Sequence, residues 1–170
     1  DERGRVFTSE TYRYRSSVLD IRHYMFMLED DLASRNIDDR LRQIRKWFGP
    51  DGEKQLSLES EVVRMLEDAD GDGRADKSSV FASNLASPLD GIASGILARH
   101  GEVWLTDIPS LWRFRPGQPG VVRDALAASV SSVTNASSPR VMNGYRAEEL
   151  LRGFGVRFSF TGHDLHGLKI

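Results

Sequence analysis

The chain predicts a mainly β fold interrupted once, near its start, by helices, and three observations carry that reading. Gly4-Arg-Val-Phe-Thr-Ser9 and Gly101-Glu-Val-Trp-Leu-Thr106 share one pattern, a glycine turn followed by β-branched and aromatic residues. An acidic, glycine-rich loop, Asp68-Ala-Asp-Gly-Asp-Gly-Arg-Ala-Asp76, lies between two runs of strand character. From about residue 17 to 48, in contrast, apolar residues recur at helical spacing. Short strands at turn-punctuated intervals fit a sandwich, a barrel or a propeller. The repeated Gly-x-Val-aromatic opening tilts the choice toward repeated blades.

The helical segment places Val18, Ile21, Met25 and Leu28 on one stripe, followed by Leu32. Leu41, Ile44 and Phe48 then follow an Asn36-Ile-Asp-Asp39 start signal, and Gly49-Pro-Asp-Gly52 is the expected end. Two helices inserted between strands are therefore expected. Glu61-Val-Val-Arg-Met-Leu-Glu67 and Lys77-Ser-Ser-Val-Phe-Ala82 read as the strands that flank the acidic loop. In the Gly101 segment Val103 and Leu105 should face one side and Trp104 and Thr106 the other. Leu111-Trp-Arg-Phe114 supplies a further strand. Residues from about 116 to 140 end in a serine-rich tract and read as a polar surface loop. Tyr145-Arg-Ala-Glu-Glu-Leu-Leu151 fits a brief helix or a strand of poor local propensity.

At 170 residues the chain is most simply one domain, 1–170. A net charge of -2, with no run of Lys and Arg interleaved with aromatics, leaves no case for nucleic acid. No apolar stretch is long enough to span a bilayer as a helix, so no transmembrane segment is expected. The lack of cysteine excludes disulfides and thiolate chemistry. The chain opens on a turn entering a strand and closes on what looks like the start of another, so it reads as a piece of a longer protein.

The acidic loop is the strongest chemical signal. Asp68, Asp70, Asp72 and Asp76 stand at positions 1, 3, 5 and 9, with Gly73 at position 6 for a sharp turn. Calcium wants such a set, oxygen donors only and some from backbone carbonyls, so the Arg74 carbonyl is a further candidate ligand. Position 12 is Ser79 rather than a bidentate Glu, which speaks against a helix-loop-helix sensor. Four carboxylates in so short a span repel one another, and a cation would relieve that. A solvated hairpin without metal is the plain alternative.

Other candidates are weaker. His163 and His166 are bracketed by Gly162 and Gly167, whose small size lets a ligand or backbone approach. His163 is a candidate base, and for both histidines a structural role is the alternative. His23 and His100 read as structural or surface residues. Asp90, in Ser87-Pro-Leu-Asp-Gly91, stands either at a pocket mouth or in a plain turn. Arg13-Tyr-Arg15 offers an anion site or pairs with acids such as Asp20.

Four separated motifs then carry a resemblance: Glu10-Thr-Tyr-Arg-Tyr-Arg-Ser-Ser-Val-Leu-Asp-Ile-Arg22, the loop from Leu66 to Phe81, Pro88-Leu-Asp-Gly-Ile-Ala93, and Ser159-Phe-Thr-Gly-His-Asp-Leu-His-Gly-Leu168. In this order they resemble the N-terminal part of the large propeller proteins of planctomycetes and verrucomicrobia labelled membrane-bound dehydrogenases. That family is in turn distantly similar to soluble quinoprotein glucose and sorbosone dehydrogenases. The resemblance implies a partial, incomplete β-propeller with a helical insertion. It also implies a segment of a sugar or alcohol dehydrogenase with a structural Ca²⁺ loop and, in the parent protein only, pyrroloquinoline quinone (PQQ). His163, five residues before Leu168, would inherit the base role, while His166 replaces a usual glycine.

The implied partners are a sugar or alcohol substrate, the remaining blades and a cytochrome c domain of the parent chain. The implied location is periplasmic or extracellular, with membrane association only through parts outside this chain. Lacking most cofactor-binding blades, the isolated segment is expected to be inactive. The runner-up expectation is a non-catalytic carbohydrate- or protein-binding propeller module.

Overall fold

The computed structural model describes residues 1–117, 139–141, 144–158 and 168. Two antiparallel sheets make up most of it. The first has the order β1 (Val6–Glu10), β2 (Glu61–Glu67), β3 (Lys77–Leu85) and the two-residue β7 (Arg140–Val141). The second runs β4 (Gly95–Arg99), β5 (Glu102–Asp107), β6 (Ser110–Pro116) and β8 (Tyr145–Arg152). In β2 Glu61, Val63 and Met65 are buried while Val62, Arg64 and Leu66 are partly exposed, the period of two that a half-buried strand requires. In β5 Val103 and Leu105 are fully buried, as the alternation predicts. Tyr145–Arg152 is a strand, paired along β6 from Pro116↔Tyr145 to Ser110↔Arg152. Pairing with a neighbour overrides a local composition that also suits a helix.

One apolar core joins the sheets. Phe7, Val63, Met65, Phe81, Ala82 and Leu85 from the first meet Val103, Leu105 and Phe114 from the second. Phe81 is its hub, with ring centroids 5.0 Å from Phe7, 5.5 Å from Phe114 and 4.9 Å from Tyr145, all edge to face. Each such pair contributes about 0.5–1.5 kcal/mol beyond area burial.

The propeller expectation is corrected here. Among the described residues neither sheet is closed or curled as a set of blades would be, and the first is three strands extended by a short bridge to β7. The physical reason lies in what the repeated pattern encodes. A glycine with φ of +75° (Gly4) or +77° (Gly101) turning into a strand is a local event. It feeds β1 in one sheet and β5 in the other without specifying how the sheets stand together.

The helical insertion is present but differs in detail. Two 3₁₀ turns, Ile21–His23 and Met25–Met27, precede α1 (Leu28–Ala33) and α2 (Ile37–Leu56). Because 3₁₀ turns repeat every three residues, the predicted stripe shifts. Ile21 and Met27 are buried, whereas Met25 and Leu32 are each 54% exposed. Asn36 caps α2 as predicted: Asp39 N–H donates to Asn36 Oδ1 at 3.0 Å and the Asp39 side chain accepts from the Asn36 N–H.

Gly49-Pro-Asp-Gly52 does not end the helix. It kinks at Gly49 (φ 62°, ψ -160°) and continues to Leu56. Pro50 then sits at the start of the new turn, where its missing N–H costs little. Leu19, Ile21, Met27, Ile44 and Leu56 form a second core with Leu89 and Phe158.

Candidate metal centre

The β2–β3 hairpin carries the acidic loop at its tip. Its base is tied by Asp76 N–H donating to the Glu67 carbonyl at 3.1 Å and by the Lys77–Glu67 ion pair at 3.4 Å. Within the loop, Asp68 accepts from Gly71 N–H at 2.7 Å and from Gly73 N–H at 2.8 Å. These two amides, Gly73 first, hold the Asp68 carboxyl below the usual carboxylate range and so keep it ionised. Gly73 has φ of +86°, a conformation that side chains rarely adopt, which accounts for a glycine there. Asp76 Oδ1 accepts from Ala69 N–H at 3.1 Å, bridging the two sides of the loop.

The outcome is a cluster. Asp68, Asp70 and Asp76 each offer a carboxylate oxygen, and the three lie within 4.8 Å of one another, all exposed. Asp72 falls outside that group, its Oδ1 accepting from Arg74 N–H at 2.8 Å. The flanking strands orient the set: Asp68 and Asp70 follow β2, and Asp76 immediately precedes β3. Hard oxygen donors on an open turn fit a cation of flexible coordination.

His163 and His166 lie outside the described residues, as does 118–138, most of the expected surface loop. His100 is exposed in the turn before β5, with its Nδ1 3.6 Å from Glu2. His23 is exposed on the first 3₁₀ turn.

Asp90 is buried, and its Oδ2 accepts from Ser87 N–H at 2.7 Å. Burial pushes its carboxyl up to about 6, against the Ser87 hydrogen bond and the charges of Arg13, Arg152 and Arg40. Arg13 is no surface cation. Its guanidinium donates to the carbonyls of Gly91, Glu59, Ser17, Ser87 and Asp90 at 2.7–3.2 Å. It is Arg22 that pairs with Asp20, at 2.5 Å.

Sequence reasoning missed a cavity of about 610 Å³ between the Tyr14–Tyr24 segment and α2. Its advance signal was the Arg13-Tyr-Arg15 cluster, whose second and third residues line it.

The described residues therefore define a two-sheet antiparallel β protein with a helical insertion and an oxygen-donor loop at one hairpin tip. The chain belongs to the family described as Domain of unknown function (DUF7133), which matches residues 1–116, from β1 through β6. No curated protein and no solved structure matches it.

The resemblance to membrane-bound and quinoprotein dehydrogenases is corrected by these findings. The family that matches carries no assigned activity, and two open sheets are not the propeller on which PQQ chemistry was expected. The dehydrogenase reading and its alternative, a binding module of propeller type, fall together, because both rested on that architecture.

Proposed function

We propose that this domain is a cation-binding structural module, in which the hairpin loop holds Ca²⁺ through Asp68, Asp70 and Asp76. The observation that carries the reading is the convergence of these three carboxylates within 4.8 Å across both sides of the loop. Bound calcium would cancel their mutual repulsion and tie the end of β2 to the start of β3. The Arg74 carbonyl and the Asp72 carboxylate are candidates to complete the shell after small rotations. Six to eight oxygen ligands are needed, so water supplies the rest.

A loop this exposed suits the weak end of the calcium range, with a dissociation constant of about 10⁻⁴–10⁻³ M. That affinity is useful in a periplasmic or extracellular setting, which is where we place the protein.

Isothermal titration of chelator-stripped protein tests the proposal. Saturable Ca²⁺ binding of one ion per chain, lost in Asp70→Asn, is expected, with Mg²⁺ binding more weakly. Heat no greater than buffer dilution, or an Asp70→Asn protein that titrates like the parent, rules it out.

A further inference from the structure

The 610 Å³ cavity shares no lining residue with the acidic loop, and its size falls within the range of small-molecule sites. Its lining includes Leu19 and Leu56, both under 10% exposed, together with Phe48. The Tyr24 ring stands against Phe48 edge to face, at 5.2 Å and 90°. The lining thus combines aromatic and aliphatic side chains with polar and charged ones.

The lining carries two guanidinium groups with different commitments. Arg22 is neutralised by Asp20, its Nε donating to Oδ1 at 2.9 Å and Oδ2 at 3.1 Å. Arg15 has no carboxylate partner among the described residues. Its guanidinium instead lies 5.2 Å from the Tyr14 ring centroid. Among the described residues the cavity lining thus keeps one guanidinium without a carboxylate partner.

The backbone at Arg15 is itself constrained. Arg15 has φ of +64°, uncommon for a residue with a side chain and costing about 1–3 kcal/mol. The turn that imposes it is fastened by Ser16 and Ser17 N–H donating to the Arg13 carbonyl, at 3.1 and 2.9 Å. Arg13 itself is anchored in the core by its buried guanidinium. An exposed arginine on an anchored turn, lining the same cavity as Phe48, Leu19 and Leu56, can meet the anionic end of a ligand held there.

We propose that this cavity binds a small aromatic carboxylate or phosphate. The ring lies against Phe48, Leu19 and Leu56, and the anionic group pairs with Arg15. An arginine fork suits both anions, since two parallel N–H groups match two oxygens. Gln55, on the α2 wall, is available to hydrogen-bond a ring substituent.

The test is titration of the 170-residue chain with benzoate, phenyl phosphate, neutral benzamide and inorganic phosphate, followed by amide chemical shifts. Saturable binding of at least one aromatic anion is expected, with shifts at Tyr24, Phe48 and Leu56. Benzamide and inorganic phosphate should each bind that site at least tenfold more weakly. Arg15→Asn removes the charge but tolerates the same backbone conformation, so it should fold normally and lose at least tenfold in affinity for the anion. Benzamide binding as tightly as the anions overturns the charge assignment, and inorganic phosphate binding as tightly overturns the aromatic one. No saturable binding of either aromatic anion, or an unchanged affinity in Arg15→Asn, overturns the proposal outright.

Discussion

Arg13 and Glu61 meet through the backbone: the Arg13 N–H donates to Glu61 Oε1 at 2.9 Å, with both residues fully buried. The same carboxylate accepts from Thr11 Oγ1 and Tyr12 N–H, both at 3.0 Å, and from Ala93 N–H at 3.2 Å. A strand of the first sheet, the start of the helical insertion and the segment leading into the second sheet are therefore held at one point. Desolvation lowers the affinity of Arg13 for its proton, and the charges of Asp90, Asp107 and Glu61 oppose that effect.

Arg13→Lys is expected to destabilise the protein by about 3 kcal/mol or more. An ammonium has three donors and no planar fork, so carbonyls that Arg13 now satisfies would be left buried and unpaired. Urea denaturation reads this as a lower midpoint at an unchanged slope. A loss below ~0.5 kcal/mol would show that the carbonyls find other donors.

Asp90 makes stability depend on pH, and the sign follows from its raised carboxyl. The folded state binds the proton more tightly than the unfolded one. The resulting stabilisation is full below the unfolded value near 3.8 and is lost as pH rises through about 6. Asp90 should therefore favour the fold more at pH 5 than at pH 7.5, by an amount bounded at roughly 3 kcal/mol. Asp90→Asn keeps an acceptor for Ser87 N–H and removes the charge. Thermal melts across that window should show the variant gaining most at the alkaline end, and parallel curves for the two proteins would refute the assignment.

Calcium removal should lower the melting temperature and calcium addition should restore it. Preferential binding to the fold contributes about 2.7 kcal/mol at a hundredfold excess over the dissociation constant. Asp68→Asn and Asp70→Asn should abolish the response, while Asp72→Asn, outside the three-carboxylate cluster, should reduce it less. Differential scanning in chelator and in 10-fold stepped Ca²⁺ measures this. Equal losses in all three variants would place Asp72 in the shell.

Asn36→Ala should cost about 1 kcal/mol, since it removes the acceptor for Asp39 N–H at the start of α2. The loss belongs to the insertion rather than to the sheets. Amide exchange should quicken along the first turn of α2 while β2 and β5 stay protected. Uniform quickening would mean that the insertion and the sheets unfold as one unit.

Much of the secondary structure was legible in residues close together in the chain. The alternation of Val103 with Leu105 marked one strand and its buried face, and the runs on either side of the acidic loop marked two more strands. The Asn36–Asp39 pair marked a helix start, because a capping box is a contact between residues three apart. Gly49-Pro50 misled because the same dipeptide that stops a helix also starts one. Tyr145–Arg152 stayed ambiguous until β6 was there to pair with it.

The candidate site divided along the same line. Oxygen-rich residues between two strands were visible as a loop of donors, since the candidate ligands lie within nine residues. Which of them converge was not visible, because the path of the turn rather than its composition brings Asp68, Asp70 and Asp76 together and leaves Asp72 out. Arg13 and Arg15 looked alike in sequence, two residues apart and both flanking Tyr14. One is buried among carbonyls as distant as Glu59 and Asp90, and the other lines a cavity against α2.

The sequence by itself thus determined the strand alternation, the helix cap and the acidic character of the hairpin tip, all governed by interactions over a few residues. Only the tertiary structure decided that the sheets remain open and share one core through Phe81. It also decided that Arg13 is an internal clamp and that Arg15 faces a cavity. These outcomes depend on contacts between residues tens of positions apart, whose formation rests on packing and desolvation that no local pattern records.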